Sequence, residues 1–262
     1  MNASPRVRIV LCTSGGVHGA IVLQRLLASH RVELAGVIRS TRVLSVRYDL
    51  LRGAWEQCRR SGLRYALYLG CAAAGSIAVR ARANGVPVFE TRDVNADGSR
   101  AFIEQLVPDL LVAAFFNQRI SDTVTAMPKY AAVNIHPSLL PAFRGVDPVF
   151  FAMLRDSRKV GVTLHRLSPE LDAGNVIAQQ ALSVAPDESV LRTTARLFDC
   201  GAGLLLASLD ALLSGESGAP QAGEANYDSW PTPPQVAQLG RQGGSLVSRR
   251  DLLDIATGRP LI

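Results

Sequence analysis

Three polar side chains in the middle of the chain have the types needed for acyl transfer to an amine. Asn134 and His136 lie two residues apart, and Asp172 follows in a Leu-Asp-Ala-Gly segment. If residues 131–136 form a strand, its two-residue period places the Asn134 and His136 side chains on one face. An amide can donate to a developing oxyanion, an imidazole can move a proton near neutral pH, and a carboxylate can stabilise the imidazolium. We therefore predict that the three residues act together.

The elements that must position these residues follow an alternating pattern of strands and helices. Apolar, β-branched segments at 6–14 and 32–38 flank a helix predicted over 17–27, which is the βαβ unit of a parallel sheet. Further strands are predicted at 86–91, 110–116, 131–136, 160–167 and 176–184, and further helices at 99–106, 149–154 and 188–213. The pattern predicts an α/β fold, Rossmann-like, with a mostly parallel twisted sheet and helices on both faces.

A glycine-rich turn, Ser14-Gly15-Gly16, ends the first predicted strand. Backbone N–H groups at a helix N-terminus bind anions readily, so this turn could contact a phosphate of a substrate. The glycines at 15, 16 and 19 do not form a G-x-G-x-x-G motif. A tight strand-to-helix turn without a ligand is the alternative interpretation.

The run Asn-Ile-His-Pro-Ser-Leu-Leu-Pro at 134–141, with the downstream Leu-Asp-Ala-Gly, resembles the folate-dependent formyltransferases. That family includes glycinamide ribonucleotide transformylase, methionyl-tRNA formyltransferase and sugar-nucleotide N-formyltransferases. The resemblance extends over residues 6–210 and implies that Asn134, His136 and Asp172 are catalytic. It also implies 10-formyltetrahydrofolate as the co-substrate, bound in an apolar slot without a metal.

The resemblance further implies two sets of binding residues. The positions that match the folate slot are Phe116, Asn117, Gln118, Arg119, Ile120, Ser168 and Pro169. Because the family recognises the pterin largely through main-chain groups, the side-chain roles of Asn117 and Gln118 stay open. The acceptor is expected at Ser14, Gly15, Gly16, Arg144 and Gly145. The glycine-rich turn corresponds to a loop that binds substrate phosphate in the ribonucleotide transformylase, although the residue pattern differs.

The composition is that of a folded protein with a basic surface. The chain has 262 residues, of which 48% are hydrophobic and 19% charged, so it can bury a full core and does not belong to the disordered class. The formal net charge of +6 favours an anionic substrate, unless it reflects only an arginine-rich surface. The four cysteines form no CxxC pair, which indicates reduced thiols. The start of the chain has no signal-peptide pattern, so we expect a cytoplasmic protein.

Two segments lie outside the resembling core. Residues 43–83 are predicted to form a helical insertion, with one helix over 47–60 and another over 63–83. The run 63–79 is apolar except for Arg64, and a buried or docked helix is favoured over membrane contact. The insertion is interpreted as a hairpin on the sheet edge or in a homodimer contact, or as a cap over the acceptor site. We predict a catalytic domain at 1–215 and an extended C-terminal extension at 216–262.

The predicted function is N-formylation of a small amine by a stand-alone enzyme. The acceptor would be an amino sugar, an amino acid or a natural-product intermediate, with or without a phosphate, and no nucleic acid is expected. The residues after Leu213 contain few strand-like runs for the C-terminal barrel of methionyl-tRNA formyltransferase. Leu139 stands where formyltetrahydrofolate hydrolases have Phe. A methionyl-tRNA formyltransferase-like enzyme, a hydrolase and a non-catalytic folate-binding scaffold are the alternatives.

Overall fold

A seven-stranded sheet forms the centre of the computed structural model, which describes residues 6–42, 49–155 and 159–262. The nine strands found in these ranges are β1 (Val7–Thr13), β2 (Val32–Ser40), β3 (Val88–Thr91), β4 (Leu110–Ala114), β5 (Ala131–His136), β6 (Arg144–Gly145), β7 (Lys159–Arg166), β8 (Val176–Ser183) and β9 (Tyr227–Asp228). The large sheet has the order β3-β2-β1-β4-β5-β7-β8. Its first five strands pair in parallel, whereas β7 pairs antiparallel to both β5 and β8. Separately, β6 and β9 form a short parallel pair.

Helices cover both faces of the large sheet. They are α1 (Gly16–Ala28), α2 (Leu50–Ser61), α3 (Leu63–Ala72), α4 (Ile77–Ala83), α5 (Asp97–Leu106), α6 (Asp122–Thr125), α7 (Pro148–Leu154), α8 (Val190–Ala207), α9 (Leu209–Leu213), α10 (Pro233–Arg241) and α11 (Arg249–Thr257). Side chains of β1 alternate between two cores: Ile9 packs in the one that contains α1 and α8, and Val10 in the one that contains α5 and α6. The predicted α/β fold is confirmed.

The helical insertion differs from its prediction in the number of helices. The apolar run forms two helices, α3 and α4, because Gly75 takes a φ of 83° and Ser76 caps α4 by accepting from Val79 N. A side chain with a Cβ rarely adopts that φ, so the chain turns there. Residues 47 and 48 of the first predicted helix lie outside the described residues. In the three ranges that are described, no helix combines the length and the apolar character needed to cross a bilayer.

Two segments after residue 187 also differ from their predictions. The helix predicted over 188–213 is divided at Ser208 into α8 and α9. The segment around Pro233, predicted to be extended, starts α10. Thr232 and Gln235 form a capping box there, and the fixed φ of proline suits the first helical turn. The boundary at 215/216 stays a prediction.

A buried ion-pair network anchors the C-terminal extension to α8. Asp251 in α11 is fully buried and accepts from Arg192 Nε at 2.8 Å, while Ser248 N donates to the same carboxylate at 2.7 Å. Burial alone would raise the pKa of Asp251, but hydrogen bonds from Ser189 and Ser248 and the charge of Arg192 leave the pKa below its ordinary value. The charged carboxylate therefore stabilises the folded protein.

We expect Asp251→Ala to lower the free energy of unfolding by about 3–5 kcal/mol, because Arg192 would lose a buried partner. Asp210→Ala is the control, since Asp210 pairs with Arg31 while 78% exposed, and it should cost about 0–1 kcal/mol. Urea denaturation measures both. Because the folded pKa lies below the ordinary 3.8, the difference between wild type and Asp251→Ala should be complete above that pH and shrink below it. Equal effects of the two substitutions would contradict this account.

Candidate active site

The end of β5 presents the Asn134 and His136 side chains on one face of the sheet. The intervening Ile135 points to the other face, where it lies against Gly201 of α8. The strand has the bounds predicted for it, 131–136. Its parallel neighbour β4 ends beside it at Ala114, so the segment that follows β4 meets the same edge. The Asn134 and His136 side chains thus lie on one face of the strand, as the two-residue spacing predicts.

The His136 ring is held from both sides. Its Nε2 lies 3.1 Å from the carbonyl oxygen of Phe143, and its Nδ1 lies 3.5 Å from Asp172 Oδ1. Because a carbonyl can only accept, Nε2 carries a hydrogen and donates to Phe143. Nδ1 is therefore the ring nitrogen that can take up a further proton, and the Asp172 carboxylate faces it.

Asp172 reaches His136 from a tight loop between β7 and β8. Its side chain is 8% exposed, and its other oxygen, Oδ2, accepts from Gly145 N at 3.1 Å. The backbone of Asp172 has a φ of 54°, a left-handed conformation that Asp tolerates better than most residues. The Leu-Asp-Ala-Gly turn therefore places a carboxylate 36 residues away in sequence next to the imidazole. The structure brings the three predicted residues together.

His165 fixes the orientation of the Asn134 amide. It lies opposite Asn134 in the β5–β7 register, with Asn134 Nδ2 3.1 Å from His165 Nε2 and His165 Nδ1 2.9 Å from the carbonyl oxygen of Arg166. Burial lowers the pKa of His165 to about 4. The ring is thus neutral near pH 7, donates through Nδ1 and accepts from Asn134 through Nε2.

A pocket opens beside these side chains and contains most of the predicted folate-binding positions. Its empty space, including the open mouth, is about 470 Å³. The lining residues are Ala113, Phe116, Gln118, Arg119, Ile120, Asn134, His165, Leu167, Ser168, Leu171 and Asp172. Five of the seven residues predicted for the folate slot are among them. Asn134 and Asp172 lie at the wall of the same pocket.

The other two predicted folate residues, Asn117 and Pro169, do not line the pocket. The Asn117 side chain turns away, donating to Arg42 O at 2.8 Å and accepting from Ser40 Oγ at 2.6 Å. Pro169 instead offers its carbonyl oxygen to the Arg119 guanidinium, a contact that joins the two segments around the pocket. The Asn117 side chain and Pro169 thus lie outside the pocket lining, and their assignment to the folate slot stays a prediction.

Gln118 lines the pocket, although both ends of its amide are used inside the protein. It donates to Ser40 Oγ at 2.7 Å and accepts from Val94 N at 2.8 Å. The side chain is buried, so it shapes the wall and leaves ligand contacts to its neighbours. This agrees with a slot recognised mainly by its surface and main chain.

The predicted acceptor residues form two separate groups. Arg144 and Gly145 lie next to the triad, since Gly145 donates to Asp172. Gly15 and Gly16 are buried against the insertion: a Cβ at Gly16 would come within 2.1 Å of Ala72 O, at the end of α3. Ser14 accepts from the backbone N–H of Asn117 at 3.1 Å and belongs to the sheet edge beside the pocket.

Sequence reasoning missed the C-terminal residues that contact the site. Gln221 and Asn226 hydrogen-bond to the loops that carry Arg144 and Asp172. They lie in a polar segment with no motif, so no local signal distinguishes them from surface residues. Among the described residues, no group of three His, Cys, Asp or Glu side chains could hold a metal ion.

A sequence profile described as "Formyl transferase" matches residues 71–209, which is just over half of the chain. The chain belongs to the formyl transferase family. Among curated relatives, a methionyl-tRNA formyltransferase from Levilactobacillus brevis is 34% identical over 169 residues, covering 64% of this chain and 52% of the relative. The chain spans about half the length of the curated relatives it matches.

Solved structures of formyl transferases share the fold. Phosphoribosylglycinamide formyltransferase from Anaplasma phagocytophilum has a TM-score of 0.58 at 19% identity, covering 86% of this chain and all of that one. An N-formyltransferase from Helicobacter canadensis, solved with folinic acid and dTDP-3-aminofucose, has a TM-score of 0.55 at 16% identity, covering 86% and 71%. At these identities the likeness shows the fold alone.

We expect the His165 ring to stay neutral from pH 5.5 to 8, because its burial disfavours the charged form. The chain has four histidines, so ¹⁵N-imidazole labelling gives a spectrum simple enough to follow ring by ring. His165→Gln identifies the signal by its loss. A His165 resonance that titrates within this range would contradict the acceptor role toward Asn134.

Proposed function

We propose that this chain is an N-formyltransferase that moves a formyl group from 10-formyltetrahydrofolate to the amine of a small molecule. The observation that carries the proposal is the meeting of Asn134, His136 and Asp172 beside one pocket. The same pocket is lined by five of the seven positions that the family resemblance assigns to the folate. Packing of the core alone does not require an amide, an imidazole and a carboxylate at one edge of the sheet.

The pocket suits a reduced pterin. Phe116, Ile120, Leu167 and Leu171 supply apolar lining, and Asn134, His165 and Asp172 supply polar groups. Arg119 joins the two segments around the pocket through the Pro169 carbonyl. The Helicobacter canadensis relative was solved with folinic acid, which supports a formylated folate as the ligand of this fold.

The residues divide the chemistry among them. When bound, 10-formyltetrahydrofolate supplies the formyl carbon, which gains a bond to the amine nitrogen and loses its bond to N10. Asn134, oriented by His165, can donate an amide N–H to the formyl oxygen as charge develops on it. His136 Nδ1 can take the proton released by the amine and return it to N10. Asp172 stabilises the imidazolium between the two transfers.

The insertion bounds the acceptor side and favours a small acceptor. Helix α3 packs on the Gly15–Gly16 turn at its end, and its Tyr65 hydroxyl donates to Asp147 at 2.7 Å near its start. Helix α3 therefore extends between the two segments predicted to bind the acceptor, the turn at 14–16 and the loop at 144–145. Because the turn is buried, we propose that the acceptor amine is recognised at Arg144 and Gly145 and does not place a phosphate on Gly15 and Gly16.

A methionyl-tRNA acceptor is the second candidate, since the curated relatives are methionyl-tRNA formyltransferases. Hydrolysis, with water in place of the amine, is the third reaction that the triad could carry out. The acceptor experiment below separates these reactions by their products.

For the folate, we expect Phe116→Ala to weaken binding of 5-formyltetrahydrofolate by about 10- to 100-fold, which corresponds to the burial of one aromatic ring. Isothermal titration calorimetry measures the affinity. Asn117→Ala is the matched control, because its side chain faces Arg42 and Ser40 and should leave the affinity unchanged. No binding to folded wild-type protein at millimolar ligand would refute the folate assignment.

For the acceptor, we expect formylated product from at least one small amine in a screen that contains amino sugars, sugar nucleotides with an amino group, and amino acids. The same screen includes methionyl-tRNA and a sample without amine. Tetrahydrofolate release is followed by absorbance and the product by mass. Formate as the only product would indicate a hydrolase, and folate binding without turnover of any kind would indicate a scaffold.

With the acceptor in hand, His136→Ala, Asn134→Ala and Asp172→Asn should each lower kcat by about 10²- to 10³-fold. The double variants should lose little more, because the residues act as a unit. Asp172→Asn keeps a side chain that tolerates the left-handed backbone. Asp187→Asn removes an exposed carboxylate and serves as the control. A His136→Ala variant with wild-type turnover would refute the assignment.

A further inference from the structure

The C-terminal extension, residues 216–262, contacts both loops that complete the triad. One is the acceptor loop, residues 143–147, and the other is the carboxylate loop, residues 168–175. We propose that Gln221 is a positioning residue that locks these two loops together and so sets the contact between His136 and Asp172. This inference rests on the proposed function, because it assigns Gln221 a role in the same reaction.

Every polar group of the Gln221 amide is used. Its Nε2 donates to the carbonyl oxygens of Asp172 at 2.8 Å and Gly174 at 2.9 Å, and its Oε1 accepts from Arg144 Nη2 at 2.6 Å. Two donors and one acceptor therefore connect the carboxylate loop to the acceptor loop through one side chain. The Gln221 contacts are partly buried, so water competes weakly for them.

Only a primary amide of this length fits the three contacts. A glutamate at this position would keep an acceptor for Arg144 but would present an oxygen to two carbonyl oxygens, which cannot donate. An alanine would leave those carbonyls and the guanidinium without their partner. Among the described residues, Arg144 Nε is buried without a hydrogen-bond partner and Nη1 lies 3.8 Å from Glu170 Oε1, so the 2.6 Å contact with Gln221 is a close restraint on this guanidinium.

The same extension also fixes the part of the acceptor loop that holds His136. Phe143 N donates to Asn226 Oδ1 at 2.7 Å, and Arg144 N donates to Asn226 O at 3.1 Å. The carbonyl of Phe143 is the acceptor for His136 Nε2. Strand β9 then continues the contact by pairing with β6. The extension thus sets the acceptor loop on one side of His136 and, through Gln221, the carboxylate loop on the other.

The strained backbone of Asp172 makes this support necessary. At a φ of 54°, a non-glycine residue persists only where surrounding contacts fix it. Besides His136, Asp172 is held by hydrogen bonds from the Gly145 N–H to its side chain and from the Gln221 amide to its carbonyl. A displacement of about 1 Å at a catalytic group can cost about 10²-fold in rate. Loss of Gln221 should therefore act on turnover and leave folate binding intact.

The test compares Gln221→Ala and Gln221→Glu with Gln238→Ala, an exposed glutamine on α10 of the same extension. We expect both Gln221 variants to lose about 10²-fold in kcat with the acceptor found in the screen, while the 5-formyltetrahydrofolate affinity stays within about twofold. Gln238→Ala should match wild type. Because Gln221→Glu keeps the size of the side chain, it separates loss of the amide donors from loss of packing and remains informative if Gln221→Ala does not fold.

A second readout does not depend on turnover. Amide hydrogen exchange of Gly145, followed by NMR, reports whether Asp172 Oδ2 still accepts from it. We expect exchange at least tenfold faster in both Gln221 variants and unchanged in Gln238→Ala. If wild type transfers no formyl group but Gly145 exchange responds to Gln221, the proposed function fails and the positioning role stands. Wild-type kcat in Gln221→Glu, or wild-type Gly145 exchange in both Gln221 variants, would overturn the positioning role.

Discussion

The site depends on holding a carboxylate, largely shielded from water, next to an imidazole that arrives from a different element. Asp172 can do this only with a left-handed backbone and with a donor at its second oxygen, which Gly145 supplies. That requirement ties the loop after β7 to the loop before α7. His136 needs a fixed ring as well, and it obtains one from the Phe143 carbonyl in the same loop before α7. The acceptor loop is thus the shared support of His136 and Asp172, the two residues proposed to be catalytic.

The parts of this arrangement that follow from local pattern could be predicted from the sequence. Strand β5 has its predicted bounds, because its alternation is set by the face that each side chain must occupy. Helix α7 (Pro148–Leu154) lies close to the predicted 149–154, with Asp147 as its cap and proline in its first turn. The helix predicted over 63–83 is instead divided into α3 and α4 by a turn that includes Gly75, and apolar content alone does not show where a helix turns.

The parts that depend on distant contacts could not be predicted. Gln221 lies 49 residues from Asp172 and in a segment whose composition suggests exposed coil. Nothing in that segment distinguishes a glutamine with three protein partners from one in water. Asn117 illustrates the same limit: its position in the chain matches a binding segment, but its side-chain amide bonds to Ser40 at the end of β2 and to Arg42 just beyond it. Family position assigns a segment to a site, and the direction of each side chain is decided by packing.

The helical insertion and the C-terminal extension, which lie outside the pocket, contact the acceptor loop from different sides. In the proposed enzyme, these contacts would limit which other acceptors the site could come to accept. The C-terminal extension holds the loop through Asn226 and β9, while α3 holds it through Tyr65 and Asp147. Burial raises the pKa of Asp147, and the Tyr65 hydroxyl opposes that shift by donating to the carboxylate. The backbone N–H of Phe150 donates to the same carboxylate at 3.3 Å, so the insertion supplies one of the hydrogen bonds that hold this end of the acceptor loop. In the proposed enzyme, acceptor recognition and triad geometry would be coupled through this loop, and a change that admits a larger amine would have to preserve the contacts on Phe143 and Gly145.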